Sequence, residues 1–137
     1  MKTKVLTETL RNKSISPTAM RLLVLEQLSE SEVALSVDDL DILLNSADRV
    51  TIYRTLKKFE ENHLVHTIED GSGAVKYALC ESNCQCTTEF THAHFHCNKC
   101  EQTYCLKNIH LPEIKLPKNF EATQSSFILK GICDRCK

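Results

Sequence analysis

DRVTIYRTLKKFEENHLVHTIEDGSGAVKYAL, residues 48–79, changes its hydrophobic period part-way along, and that change decides the fold. As far as Asn62, Ile52, Leu56 and Phe59 recur at i, i+4 and i+7, one face of a helix, with Asp48 standing where an N-cap belongs. The opposite face carries Arg49, Thr51, Arg54, Lys57 and Lys58. After Leu64 the period falls to two: VHTIE, a DGSG turn, then AVKYAL, the pattern of a β-hairpin. Working outward, Ser16 and Pro17 predict an N-cap and a first-turn proline for a helix through Ala19, Leu22, Leu23, Leu25, Glu26 and Leu28. Ser36 and Asp39 form a capping-box pair for a short helix, with Val37, Leu40, Leu43 and Leu44 on its apolar side to about Asn45. Helix, short helix, basic helix and hairpin in that order predict a winged helix-turn-helix with the hairpin as wing. Arg49, Thr51, Tyr53, Arg54, Lys57 and Lys58 are the candidate DNA contacts, guanidinium and ammonium groups for phosphates and guanine edges with an aromatic ring for a thymine methyl. Tyr53 has a plain alternative as a core residue at the helix boundary.

With 137 residues, 42% of them hydrophobic, and only three glycines and three prolines, the chain reads as one compact domain or two small ones. A large multi-domain enzyme is excluded. No apolar run reaches the length of a membrane span and the N-terminal stretch lacks a signal peptide's apolar core, so the expected location is the cytosol. Residues 1–79 hold ten Lys/Arg against twelve Asp/Glu, which argues against a globally basic nucleic-acid binder. The order of the charges is more telling: basic stretches at 1–25 and 49–58 flank an acidic one at 26–48. Ordinary solvated helix faces would explain the same runs.

All eight cysteines lie from Cys80 onward, with four of the six histidines. In a reducing cytosol such a cluster points to metal or redox chemistry rather than structural disulfides. Cys97-x-x-Cys100 and Cys133-x-x-Cys136 offer two sulfurs each from a tight turn, and four thiolates make a closed, structural zinc site. Zinc there would staple a half-domain too small to hold by its core alone. Just before Cys97, His92-x-His94-x-His96 alternates, so on a strand all three imidazoles share a face and can address one ion. Imidazole with thiolate suits zinc better than iron or manganese. The segment ESNCQCTTEFT, 81–91, has no apolar pattern and reads as a linker. The expected organisation is α+β: a winged-helix domain over 1–79, a hinge over 80–91, and a small α/β dimerisation and metal-binding domain over 92–137.

SPTAMRLLVLEQL (16–28), DRVTIYRTLKKFEENHLV (48–65), the glycine-containing wing, HAHFHCNKC (92–100) and the terminal CDRC (133–136) together resemble the ferric uptake regulator family of metal-responsive repressors. The resemblance covers nearly the whole chain. It implies a homodimer, formed by the second half, that sets two winged helices on a palindromic operator in double-stranded DNA when a regulatory metal is bound. In the iron and peroxide branches that metal uses a histidine where this chain has Ala34 and carboxylates where it has Ala78 and Cys105, which makes iron less suited. The zinc-uptake branch matches better, and by its spacing the resemblance implies His66, Cys80, His92 and His94 as regulatory ligands, with Cys84, Cys86 or Cys105 as stand-ins. A further metal site of the family looks absent, since its aspartate falls on Ala93 and its late histidine on Ser125.

The function expected is a zinc-responsive transcriptional repressor of metal-homeostasis genes. An iron- or peroxide-responsive regulator of the same family is one alternative. Another is a thiol redox sensor whose only zinc is structural; a third is a zinc-stabilised interaction module that binds no DNA. No nucleophile–base pair is identifiable by spacing, so catalysis is not expected.

Overall fold

The computed structural model describes residues 2–45, 48–79, 93–106, 114–123 and 126–137. The hinge expected at 80–91, with Cys80, Cys84 and Cys86, and the candidate ligand His92 lie outside the described residues.

The first half builds its core from helices on one face of a small sheet. Helix α1, Lys2–Asn12, seats Leu6 and Leu10 and is an element that the spacing of apolar residues does not predict. Its apolar face is narrow, and Val5 beside it is exposed, so periodicity gives little signal. Helix α2, Ala19–Glu30, is capped by Thr18, whose hydroxyl accepts from the Arg21 amide, and not by Ser16 as the proline rule suggested. Ser36 and Asp39 make the expected reciprocal capping box at the head of α3, Val37–Leu43. Helix α4, Arg49–Glu61, starts at the Asp48 cap and buries Ile52, Thr55, Leu56 and Phe59. Strands β2, Val65–Glu69, and β3, Val75–Leu79, pair antiparallel as the wing, and the two-residue strand β1, Leu35–Ser36, adds to the other edge of β3. Gly71 and Gly73 take left-handed φ of +89° and +91° at the wing tip, which other residues rarely adopt.

The second half is a three-stranded sheet, order β5-β4-β6, from β4, Ala93–Cys97, β5, Thr103–Leu106, and β6, Phe127–Gly131. β5 runs antiparallel to β4 and β6 parallel to it, and a 3-10 turn, Asp134–Cys136, follows.

The two sheets meet through the face of the wing turned away from the helices. Cross-strand partners Ile68 and Lys76 share that face with His66, and all but His66 are fully buried, although Ile68 does not belong to the helical core cluster. What covers them is the second sheet. The Ala34 amide donates to the Thr103 carbonyl at 2.8 Å, and the Lys76 ammonium donates to the Glu101 carbonyl at 2.6 Å. Arg135 pairs with Glu32 at 2.6 Å on the rim. Lys76 is buried in this contact although lysine usually faces solvent.

Candidate metal centres and DNA-facing helix

Parallel pairing of β4 with β6 ends at Cys97 opposite Gly131, and this register delivers the two Cys-x-x-Cys turns to one place. The four sulfurs of Cys97, Cys100, Cys133 and Cys136 lie within 4.8 Å of one another, with Cys100 and Cys133 3.8 Å apart. Tetrahedral zinc with bonds of about 2.3 Å to sulfur would set each pair roughly 3.8 Å apart. Amides of Cys100 and Cys133 point at the Cys97 sulfur at 3.5 and 3.4 Å. These donors bring the Cys97 thiol down to about 5, while hydrogen bonding to Cys133 and burial push Cys136 up to about 12. The thiol of Cys133 is lowered as well, so the cluster already favours thiolates at two positions, and only a cation would let all four ionise side by side. The donor set fits a closed zinc site.

A second cluster joins the two halves. His66, half-buried on wing strand β2, places its Nε2 3.2 Å from Nε2 of buried His94 on β4. Cys105 stands opposite His94 across the β4–β5 ladder, and its sulfur completes a trio whose donor atoms all fall within 4.8 Å. The rings are tilted by 45° with centroids 5.3 Å apart. Two nitrogens bound to one tetrahedral zinc would stand about 3.3 Å apart, so the geometry suits an ion with at least one further ligand. Of the four ligands expected from sequence, the structure brings together His66 and His94. Cys105, expected only as a stand-in, is the third member. Cys80, His92, Cys84 and Cys86 are outside the described residues.

His96 does not join this trio, against the expectation that the three alternating imidazoles share an ion. Its Nδ1 lies 3.0 Å from the Thr103 hydroxyl and 3.3 Å from Asp70. Thr103 donates to the fully buried Asp70 carboxylate, which also pairs with Lys76 at 3.0 Å and accepts from the Ser72 amide at 2.9 Å. Burial works to raise the Asp70 pKa, but the bonds from Ser72, Thr103 and Lys76 outweigh it and hold the carboxyl well below the usual carboxylate range. Sequence reasoning missed this cluster. Asp70 reads as a turn former, and nothing in the spacing announces Thr103.

On α4, Arg49, Tyr53, Arg54 and Lys57 are exposed and Lys58 is half-buried. Tyr53 is 48% exposed, so it is not a core residue. Three candidates are partly engaged: Arg49 pairs with Asp38 and, at 3.8 Å, Asp41, the Thr51 hydroxyl donates to the Asp48 cap at 2.9 Å, and Lys57 pairs loosely with Glu60 at 4.0 Å. Arg49, Tyr53 and Lys57 line a groove between α4 and the wing, whose other wall includes Glu69 and Val75.

A family profile described as the ferric uptake regulator family matches residues 12–132. Among solved structures, a zinc uptake regulator complexed with zinc and DNA is 22% identical, with a TM-score of 0.67 over 99% of this chain and 95% of that one. The ferric uptake regulator of Vibrio cholerae is 21% identical, with a TM-score of 0.62 over 93% of this chain and 98% of that one. A zinc-bound manganese uptake regulator is 17% identical, with a TM-score of 0.63 over 93% and 98%. No individual curated protein matches. Identities at this level speak for a shared fold; the profile match over most of the chain carries the family.

Proposed function

The chain belongs to the ferric uptake regulator family, and from that premise we propose that it is a zinc-responsive repressor whose regulatory site is built on His66, His94 and Cys105. At the level of the family it is a metal-responsive, DNA-binding transcription regulator and not an enzyme. The finer reading rests on one observation: a ligand from the wing converges with two from the second sheet. Cys80 or His92 supplies the fourth position, and Cys97, Cys100, Cys133 and Cys136 hold the structural ion. Thiolate with imidazole favours zinc over iron or manganese, which take more carboxylate or water.

Zinc bound at the trio would supply a direct bond from each sheet to one centre. His66 then ties the wing, and through it α4, to the second half. A homodimer presents two such units, and the large apolar side chains exposed among the described residues of the second half, Ile114, Leu116, Phe120, Phe127, Leu129 and Ile132, suit the subunit contact. With the wing tied down, Tyr53, Arg54 and Lys57 of the two subunits are held at one separation, which two half-sites about one helical turn apart require. Without the tie only a fraction of dimers match, and apparent affinity falls by that fraction. No helix among the described residues is long and apolar enough to cross a membrane. A regulator of this family works where its DNA is, in the cytoplasm.

Elemental analysis of reduced protein tests the reading. Two zinc per chain are expected for the wild type, falling to about one in Cys105→Ser with loss of zinc-dependent operator binding. One zinc in the wild type, with operator binding controlled by thiol oxidation, would instead favour the redox sensor.

A further inference from the structure

Two neighbouring rungs of the second sheet face the wing. His94 pairs with Cys105, and two residues along each strand His96 pairs with Thr103. Period two sends both rungs to the same face, about 7 Å apart. The wing answers each of them: His66 meets the first rung, and Asp70, four residues further on, meets the second with Lys76. The first contact is the metal cluster. The second contains no pair of metal-binding sulfurs or imidazoles, and the proposed regulation makes no use of it.

Its composition is unusual for a contact that only holds two halves together. Asp70 and Lys76 both belong to the wing, and the second half receives them with the Thr103 hydroxyl and the Glu101 carbonyl, the His96 ring lying 3.3 Å from Asp70. Docking the wing therefore takes a carboxylate and an ammonium out of water, and undocking returns both to it. The desolvation of such a pair consumes most of what its hydrogen bonds return. An apolar patch of the same size would glue the wing down whether or not metal were present. The polar cluster is close to balance in energy and strict in geometry, because Ser72 and Lys76 hold Asp70 from within the wing and the Thr103 hydroxyl reaches its Oδ2 only in one docked register. Among the described residues no buried side-chain nitrogen or oxygen lacks a partner.

From this placement we infer that Asp70, Lys76, Thr103 and His96 form an orientation lock: a positioning element that selects the single docked arrangement of the wing which metal at His66, His94 and Cys105 then stabilises. The inference rests on the proposed zinc response and adds the reason it is productive. One anchoring point leaves the wing free to pivot about it; a second point two residues along the strands removes that freedom. Metal supplies the driving force, and the lock supplies the angle.

Thr103→Val keeps the shape of the side chain and removes the hydroxyl. At saturating zinc this variant should still bind two zinc per chain and remain a dimer, yet bind operator about tenfold more weakly, within the usual range of coupling between sites. Thr103→Ser, which restores the hydroxyl, should recover the wild-type affinity. A Thr103→Val protein with the wild-type zinc response and operator affinity overturns the lock. If that variant loses its structural zinc or its dimer, Asp70→Asn decides in its place, since the change lies in a wing turn whose groups would be solvated when undocked; unchanged operator affinity there also overturns the proposal. Should the wild type itself show no zinc response, the reading of the metal cluster fails, and small-angle scattering judges the lock alone. A Thr103→Val chain as compact as the wild type then refutes it.

Discussion

The two cysteine-containing clusters differ in where their members come from, and that difference separates stability from switching. Cys97, Cys100, Cys133 and Cys136 come from the end of β4 and the turns that follow β4 and β6 in the second half, brought together by the β4–β6 register. An ion held there can only strengthen that sheet. His66, His94 and Cys105 take one member from the wing and two from the second sheet. An ion there would fix the relation between the two halves, and on the proposed reading its binding would be coupled to anything else that depends on that relation, operator DNA included.

Removing a ligand from the first cluster should therefore have the largest effect on the molecule. Structural zinc sites contribute on the order of 10–16 kcal/mol of apparent binding energy that is also folding energy. Cys133→Ser should lose about one zinc per chain, and its dimer should dissociate in sedimentation or size-exclusion measurements. Cys133 is buried and shapes the terminal turn, and its amide also bonds the Cys97 sulfur. A stable dimer with unchanged zinc content would erase the distinction between the clusters.

Much of this was legible in the sequence, and what was not shares a cause. The capping box at Ser36, the Asp48 cap, the α4 face of Ile52, Leu56 and Phe59, and the wing hairpin are local patterns, and they stand where the spacing put them. The pairing of sulfurs in each Cys-x-x-Cys was legible because both lie within one turn, and the four do converge. His66 and His94 were matched by resemblance, but the choice of Cys105 depends on which residue faces His94 across a ladder, which no local pattern encodes. The same holds for Asp70, Lys76 and Thr103. Both sides of the sheet–sheet contact look like ordinary polar faces until the sheets are placed against each other. The α2 cap shifted from Ser16 to Thr18 because both hydroxyls precede the helix and only the fold decides which reaches an open amide.

In the second cluster the expected loss is smaller and confined to regulation. His66→Ala should leave the structural zinc and the dimer intact, because those depend on the other four thiolates. Zinc-dependent operator binding should weaken by the 5- to 150-fold typical of a coupling free energy of about 1–3 kcal/mol. Fluorescence anisotropy with labelled operator, read against buffered free zinc, gives the two response curves. Superimposable curves would mean that His66 is a wing histidine lying beside the metal site rather than in it.

The smallest effect is expected at the proposed DNA-facing surface of α4. Lys57 is exposed, lines the groove between α4 and the wing, and pairs loosely with Glu60 at 4.0 Å. Arg49 would be a poorer choice for a test, since it also bridges α4 to Asp38 and Asp41 of α3, and its loss would disturb the helix pair itself. If Lys57 neutralises a phosphate, Lys57→Ala should weaken binding on specific and non-specific DNA by a similar modest factor. The slope of log affinity against log salt should fall by about 0.9 for each phosphate left without its ammonium. Zinc binding measured without DNA should not change, because the side chain is exposed on α4 and belongs to neither cluster. This outcome sharpens the contrast with His66→Ala, which alters the zinc response and leaves the phosphate contacts of the docked state in place. Unaltered affinity and salt slope in Lys57→Ala would show that this face of α4 does not meet DNA, and the coupling from His66 would then have to reach the operator through the wing alone.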